Sequence, residues 1–180
     1  MSDRVSQTIL LCEDDPQERL VRFYMEKCGL NTRPPYFMPR NASREVHGGN
    51  VTWVLREFQR ELEACRKRHA ARANTLLIVV VDADNFEVVD RRGHLKADPP
   101  VSPTDPLVVL IPRRHIETWI RSATNQAVNE TDDFKNPEPK KSEIRDAAIT
   151  IHGWARHIPP PGATCVASQS SSFPMWRKIG

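Results

Sequence analysis

No apolar run in the 180 residues approaches the length of a membrane span, and no membrane partner is expected. The opening MSDRVSQTILLCEDD is too short in apolar length, and too acidic afterwards, to be expected as a secretory signal. The four cysteines, Cys12, Cys28, Cys65 and Cys165, are scattered, with no CxxC pair and no Cys/His cluster. That spacing argues against a zinc site. It leaves reduced thiols in a cytoplasmic protein as the expectation. No internal repeat is present, and no low-complexity segment beyond QSSS at 169–172. A dominant charge is lacking too: 26 basic side chains face 23 acidic ones, for a net charge of +3 and a pI near 8.8. Such a mildly basic chain permits a polyanionic partner without requiring one.

What is present fits one globular domain with enough chain for a real core. Hydrophobic content of 39% and charged content of 27% are ordinary for a soluble protein. The fifteen prolines cluster at 34–39, 99–106, 137–139 and 159–161, which marks loops. The stretch that stands out is LLIVVVDAD at 76–84, six apolar residues ending in two aspartates separated by one alanine. A continuous β-branched run reads as a strand buried on both faces, as in a parallel sheet. Ligand crevices in open α/β sheets lie beyond the C-terminal ends of such strands. If extended geometry persists, Asp82 and Asp84 point the same way, and two like charges aimed at one point call for a cation.

The remaining elements follow from periodicity. A first buried strand is expected at 8–12 (TILLC), then a helix with Asp15 as N-cap and Pro16 in its first turn, closed by Gly29. Residues 32–40 suit a second strand, held to an edge by its prolines. A polar loop with Gly48-Gly49 leads to a helix at 51–69 that ends in the basic run Arg66-Lys67-Arg68-His69, with Arg72 beyond. Those bases suit a solvated helix C-terminus. Helical turns are expected at 85–96, a buried strand at 107–111 (LVVLI), a helix in IETWIRSA, and a helix capped by Ser142. Trp53, Trp119 and Trp154 read as core, whereas Trp176, beside Arg177 and Lys178, is the one tryptophan suited to a partner surface. The alternation implies an α/β, mainly parallel sheet of about four strands with right-handed crossovers. The expected division is a domain over 1–157 and a C-terminal tail over 158–180 docked on it.

In such a sheet all strand C-termini share one edge. Glu13, then Asp82 and Asp84, then Glu117 one helical turn past a strand, therefore converge. Glu13, Asp82 and Asp84 are the expected metal ligands, and hard oxygen donors of this kind select Mg²⁺ or Mn²⁺ over zinc. A carboxylate-held magnesium ion beside basic groups is common equipment for phosphodiester hydrolysis. Glu117 is expected as a further ligand or a base that orients water. Arg113 and Arg114 are placed to bind a phosphate, and Lys135, in DDFK, to neutralise charge developing on it. His115 is expected as a core or cap residue, and Glu18 as helix surface, with the ligand of a second metal ion as its alternative role.

A Glu after the first strand and a DxD after a later one resemble the Toprim fold of topoisomerases, primases and the overcoming-lysogenization-defect nucleases. The segments RNASREVHGGNVTWVLREF, TLLIVVVDAD and IPRRHIETWI…NETDDFK are similar to a family of small, stand-alone, Toprim-like bacterial proteins, over roughly residues 8–156. The resemblance implies a Rossmann-like fold, metal-dependent cleavage of DNA or RNA, and a role in anti-phage defence beside an ATPase partner. One departure is that Asp14 stands where nuclease-type relatives commonly have glycine. Topoisomerase and primase activities are not implied, because the chain lacks the large domains they need.

Two other classes compete. ILLCEDDPQERLVRFYMEKCGL also resembles the first motif of a response-regulator receiver. A receiver needs its phospho-acceptor aspartate at the end of the third strand, yet 51–60 read VTWVLREFQR and Asp82 lies 69 residues past Glu13. The other class is a non-catalytic regulatory or partner-binding subunit that keeps the shell of the fold.

Overall fold

A computed structural model of the chain describes residues 5–47, 50–71, 73–157 and 165–180. The Gly48-Gly49 turn, Arg72 and the prolines at 159–161 lie outside the described residues. The chain runs β1 (Gln7–Cys12), α1 (Asp15–Lys27), β2 (Phe37–Asn41), α2 (Ala42–Glu45), α3 (Val51–Ala70), β3 (Thr75–Val80), α4 (Val88–His94), β4 (Leu107–Leu110), α5 (Ile116–Ala123), α6 (Lys141–Arg156) and α7 (Ala167–Ile179). Four strands form one all-parallel sheet in the order β2-β1-β3-β4. The expected α/β class, strand count and edge position of β2 are all found.

Strand alternation sorts the side chains into two cores. Leu10, Ile78, Val80, Val108 and Leu110 face one side, against α1, α5, α6 and α7. Ile9, Leu11, Leu77, Val79 and Val109 face the other, against α3. Both faces are covered, which is why residues 76–80 of β3 (LLIVV) are apolar in both registers and the whole strand is buried. Each fully buried leucine or isoleucine contributes roughly 1.5–3 kcal/mol.

Several expectations are corrected. Asp14, not Asp15, caps α1: its backbone is extended and its carboxylate accepts the Gln17 N–H at 3.0 Å. Lys140, not Ser142, precedes α6, and Glu143 reaches back to accept the Lys140 N–H at 2.6 Å. Residues 42–45, read as loop, form α2, because the Asn41 side chain accepts the Ser43 N–H at 3.1 Å and starts a turn. In the basic run, Arg66 is not simply solvated. It pairs with Asp105 at 2.6 Å and donates to the Pro99 and Pro100 carbonyls, tying the proline-rich loop to α3.

Trp176 is fully buried rather than a partner surface. It lies among the core residues with Phe173 and Ile179 of α7. Its ring packs on Tyr24, whose hydroxyl donates to the Trp176 carbonyl at 3.0 Å. Among the described residues, no helix is long and apolar enough to cross a membrane.

Candidate metal centre at the strand C-termini

Parallel pairing delivers the acids to one edge. Past the end of β3 the backbone stays zipped to the segment after β4: Val81 N–H bonds to Leu110 O, Ala83 N–H to Pro112 O, and Asp84 N–H to Arg114 O at 3.1 Å. This ladder sets Asp82 and Asp84 against His115. The chain is not extended at Asp84, however, whose φ is +52°. Its carboxylate meets that of Asp82 through a left-handed turn and not through strand alternation. Aspartate tolerates that conformation better than most side chains.

Asp82 is 1% exposed, and its two oxygens have different fates. Oδ1 accepts from Gln17 Nε2 at 3.0 Å and from the Ile116 N–H, at the start of α5, at 3.1 Å. Oδ2 lies 3.5 Å from His115 Nδ1. Asp84 Oδ1 lies 3.6 Å from the same nitrogen, while its Oδ2 accepts from Arg91 at 3.2 Å. One ligand atom from each of Asp82, Asp84 and His115 falls within 4.8 Å of the others. Among the described residues, this is the group of acids and histidines with metal-ligand spacing.

Glu13 adjoins the group, with Oε1 accepting the Asp82 N–H at 2.7 Å. Gln17, fully buried, ties the two segments together, since its Oε1 accepts the Glu13 N–H at 2.9 Å while its amide serves Asp82. Glu117 is 4% exposed, and its Oε2 is buried without a hydrogen-bond partner, as is His115 Nδ1. A buried polar atom left unpaired costs about 1–3 kcal/mol. These orphaned atoms, beside carboxylates that crowd one another, are what a divalent cation would satisfy, so the residues present fit one.

Electrostatics agree. Burial pushes Asp82 well above the ordinary aspartate range, with the charges of Asp14 and Glu117 adding to it. Burial and then the Asp82 charge raise Glu13 to about 8. Glu117 and Asp14 are raised as well, each chiefly by burial. Lys135 opposes this cluster. Desolvation works to lower its pKa, but the carboxylates of Asp82, Glu117, Asp84 and Glu13 outweigh that and hold it above the usual lysine range. Arg121 steadies the segment that carries Lys135, donating to Phe134 O at 3.2 Å and to Pro137 O at 2.7 Å.

The structure thus brings Glu13, Asp82, Asp84, Glu117 and Lys135 together. Arg113 and Arg114 stand on the rim, where they line an open cleft of about 180 Å³ with Asn85, Phe86, Glu130 and Thr131. Both have partners there: Arg113 pairs with Glu87 at 2.7 Å, and Arg114 bonds to Asn85 and the Asp84 carbonyl.

Glu18 is not helix surface. It is 3% exposed and paired with Arg22 at 2.9 Å and Arg44 at 3.0 Å, with Asn41 donating at 3.2 Å. These contacts commit its carboxylate to joining α1 to β2. Sequence reasoning overlooked Gln17 and understated His115. Gln17 carried a signal, a glutamine three residues after an acidic cap, in the pattern of a capping box. His115 had only its place after a strand, two residues before Glu117. No protein-family model matches the chain, and no curated protein or solved structure does so.

Proposed function

We propose that the chain is a Toprim-like, Mg²⁺- or Mn²⁺-dependent nuclease that hydrolyses phosphodiester bonds of DNA or RNA, as the effector of an anti-phage system with an ATPase partner. The observation that carries the reading is the convergence of Asp82, Asp84 and His115 at metal-ligand spacing, with Glu13 and Glu117 beside them. Asp82, Asp84 and Glu13 would hold the ion. A divalent cation bound there supplies Lewis-acid polarisation of a phosphate and a nucleophilic water at neutral pH. Glu117, buried beside the acids, would serve as the base that takes a proton from a water at the ion. Lys135 neutralises charge that grows on the phosphate oxygens, and Arg113 and Arg114 hold backbone phosphates at the rim.

The test is cleavage of single-stranded DNA, duplex DNA and RNA with Mg²⁺ or Mn²⁺, by the chain alone and with any ATPase encoded beside it. Asp82→Ala and Asp84→Ala should abolish cleavage. A wild-type protein inactive in every combination, or an Asp82→Ala protein that cuts normally, overturns the reading.

One observation favours the receiver alternative: Asp82 follows the third strand, where a receiver carries its phospho-acceptor. Against it, Asp82 is almost wholly buried with Oδ1 in two hydrogen bonds, and the described residues contain no fifth strand with a Lys-Pro turn. Treatment with acetyl phosphate followed by mass spectrometry separates the two. A labile phosphoryl group on Asp82 would favour the receiver.

A further inference from the structure

We propose that His115 is a direct ligand of the ion at this centre, and that its nitrogen makes the site prefer Mn²⁺, or another first-row transition ion, over Mg²⁺. This rests on the divalent-ion half of the preceding proposal and not on phosphodiester cleavage. The His115 side chain is buried, yet its Nδ1 has no hydrogen-bond partner among the described residues. It occupies the cap position of α5 but makes no side-chain cap bond. The 3.5 and 3.6 Å separations to Asp82 Oδ2 and Asp84 Oδ1 are too long for good hydrogen bonds. They suit ligands awaiting an ion: donors at cis positions around a metal with about 2.1 Å bonds lie about 3.0 Å apart. Closing by a few tenths of an ångström brings all three into a first shell.

The far side of the ring meets a further acid. Nε2 faces Asp133 Oδ1 at 3.9 Å. An ion taken by Nδ1 would leave the ring proton on Nε2, towards this carboxylate, in the carboxylate–histidine–metal order common to such centres. Asp82 Oδ1 and Asp84 Oδ2 are already occupied by Gln17, Ile116 and Arg91, so one oxygen of each aspartate is left for the ion. Oxygen donors and retained waters suit Mg²⁺, which dehydrates reluctantly, whereas imidazole shifts preference along the first transition row.

The test uses the full chain and Mn²⁺ alone. Bound Mn²⁺ is counted by loss of the free-ion EPR signal, Mg²⁺ is titrated as competitor, and pulsed EPR reads nitrogen coupling on the bound ion. Wild type should bind Mn²⁺ with a directly coordinated ¹⁴N, and Mg²⁺ should displace it only in large excess. His115→Ala should lose the nitrogen coupling and about tenfold or more in Mn²⁺ affinity, with Mg²⁺ affinity nearly unchanged. Mn²⁺ bound by wild type without nitrogen coupling overturns the role of His115 and leaves the acidic site standing. Failure of folded wild type to bind Mn²⁺ overturns both. Should His115→Ala misfold, the wild-type nitrogen spectrum still decides.

Discussion

Replacing Asp82 by Asn should stabilise the metal-free protein while removing its response to metal. Asn keeps the Oδ1 acceptor for Gln17 Nε2 and the Ile116 N–H, and removes a charge from a site that also holds Asp14, Glu117 and Asp84. The sign follows from linkage. Asp82 is raised in the folded state, so above the ordinary aspartate value the folded chain holds a proton that the unfolded chain has released. Each pH unit of that retention costs about 1.4 kcal/mol. Asp82→Asn should therefore be more stable than wild type at pH 8 in EDTA, because it has no such proton to retain. The gap should shrink towards pH 4, where both side chains are neutral. Urea unfolding at the two pH values measures it. In the same experiment, Mn²⁺ at 100 times its Kd should add about 2.7 kcal/mol to wild type and nothing to the variant. An Asp82→Asn protein less stable than wild type at pH 8, or equally stabilised by Mn²⁺, would refute the reasoning.

Other expectations follow from the same structure. Glu13 stands at about 8 when folded against 4.5 ordinarily, so the stability it lends the metal-free chain is complete below about pH 4.5 and is lost as pH rises to about 8; melting curves in EDTA read the decline, and saturating Mn²⁺ should flatten it. Glu18→Ala should destabilise by roughly 1–2 kcal/mol, less than a fully buried pair because Arg22 and Arg44 reach solvent, and should leave Mn²⁺ affinity unchanged by calorimetry. Trp176→Ala should cost about 3–5 kcal/mol in denaturant titration, since α7 closes the core against α6 and β4. Arg114→Ala should weaken nucleic-acid binding and lower the slope of log K against log salt by about one unit, without altering metal affinity.

The framework was legible because it rests on patterns that act locally. Unbroken apolar runs at 8–12, 76–81 and 107–111 specify strands covered on both faces, and three- and four-residue spacings specify the helices between them. The meeting of Glu13, Asp82 and Glu117 follows from parallel topology, since every strand end lies on one edge. What escaped depends on contacts between segments distant in the chain. Glu18 reads as an exposed acid until Arg44 and Asn41 close over it. Trp176 reads as a surface aromatic beside two bases until α7 turns its other face to Tyr24. Gln17 and His115 acquire roles only when β1 pairs with β3 and the ladder to Arg114 forms, which bring them against Asp82 from opposite sides of the strand end. The left-handed φ at Asp84 has no sequence signature beyond the residue type, so strand alternation gave the right convergence through the wrong geometry.

The central claim is that the two aspartates after β3 are half of a metal centre. Crystals of the protein soaked in Mn²⁺, with anomalous scattering recorded at the manganese edge, test it most directly. The account predicts one strong peak about 2.2 Å from Asp82 Oδ2, Asp84 Oδ1 and His115 Nδ1, with a Glu13 carboxylate oxygen as a further ligand. An empty site at saturating Mn²⁺, or a peak only at exposed acids such as Asp132 and Asp133, would contradict it.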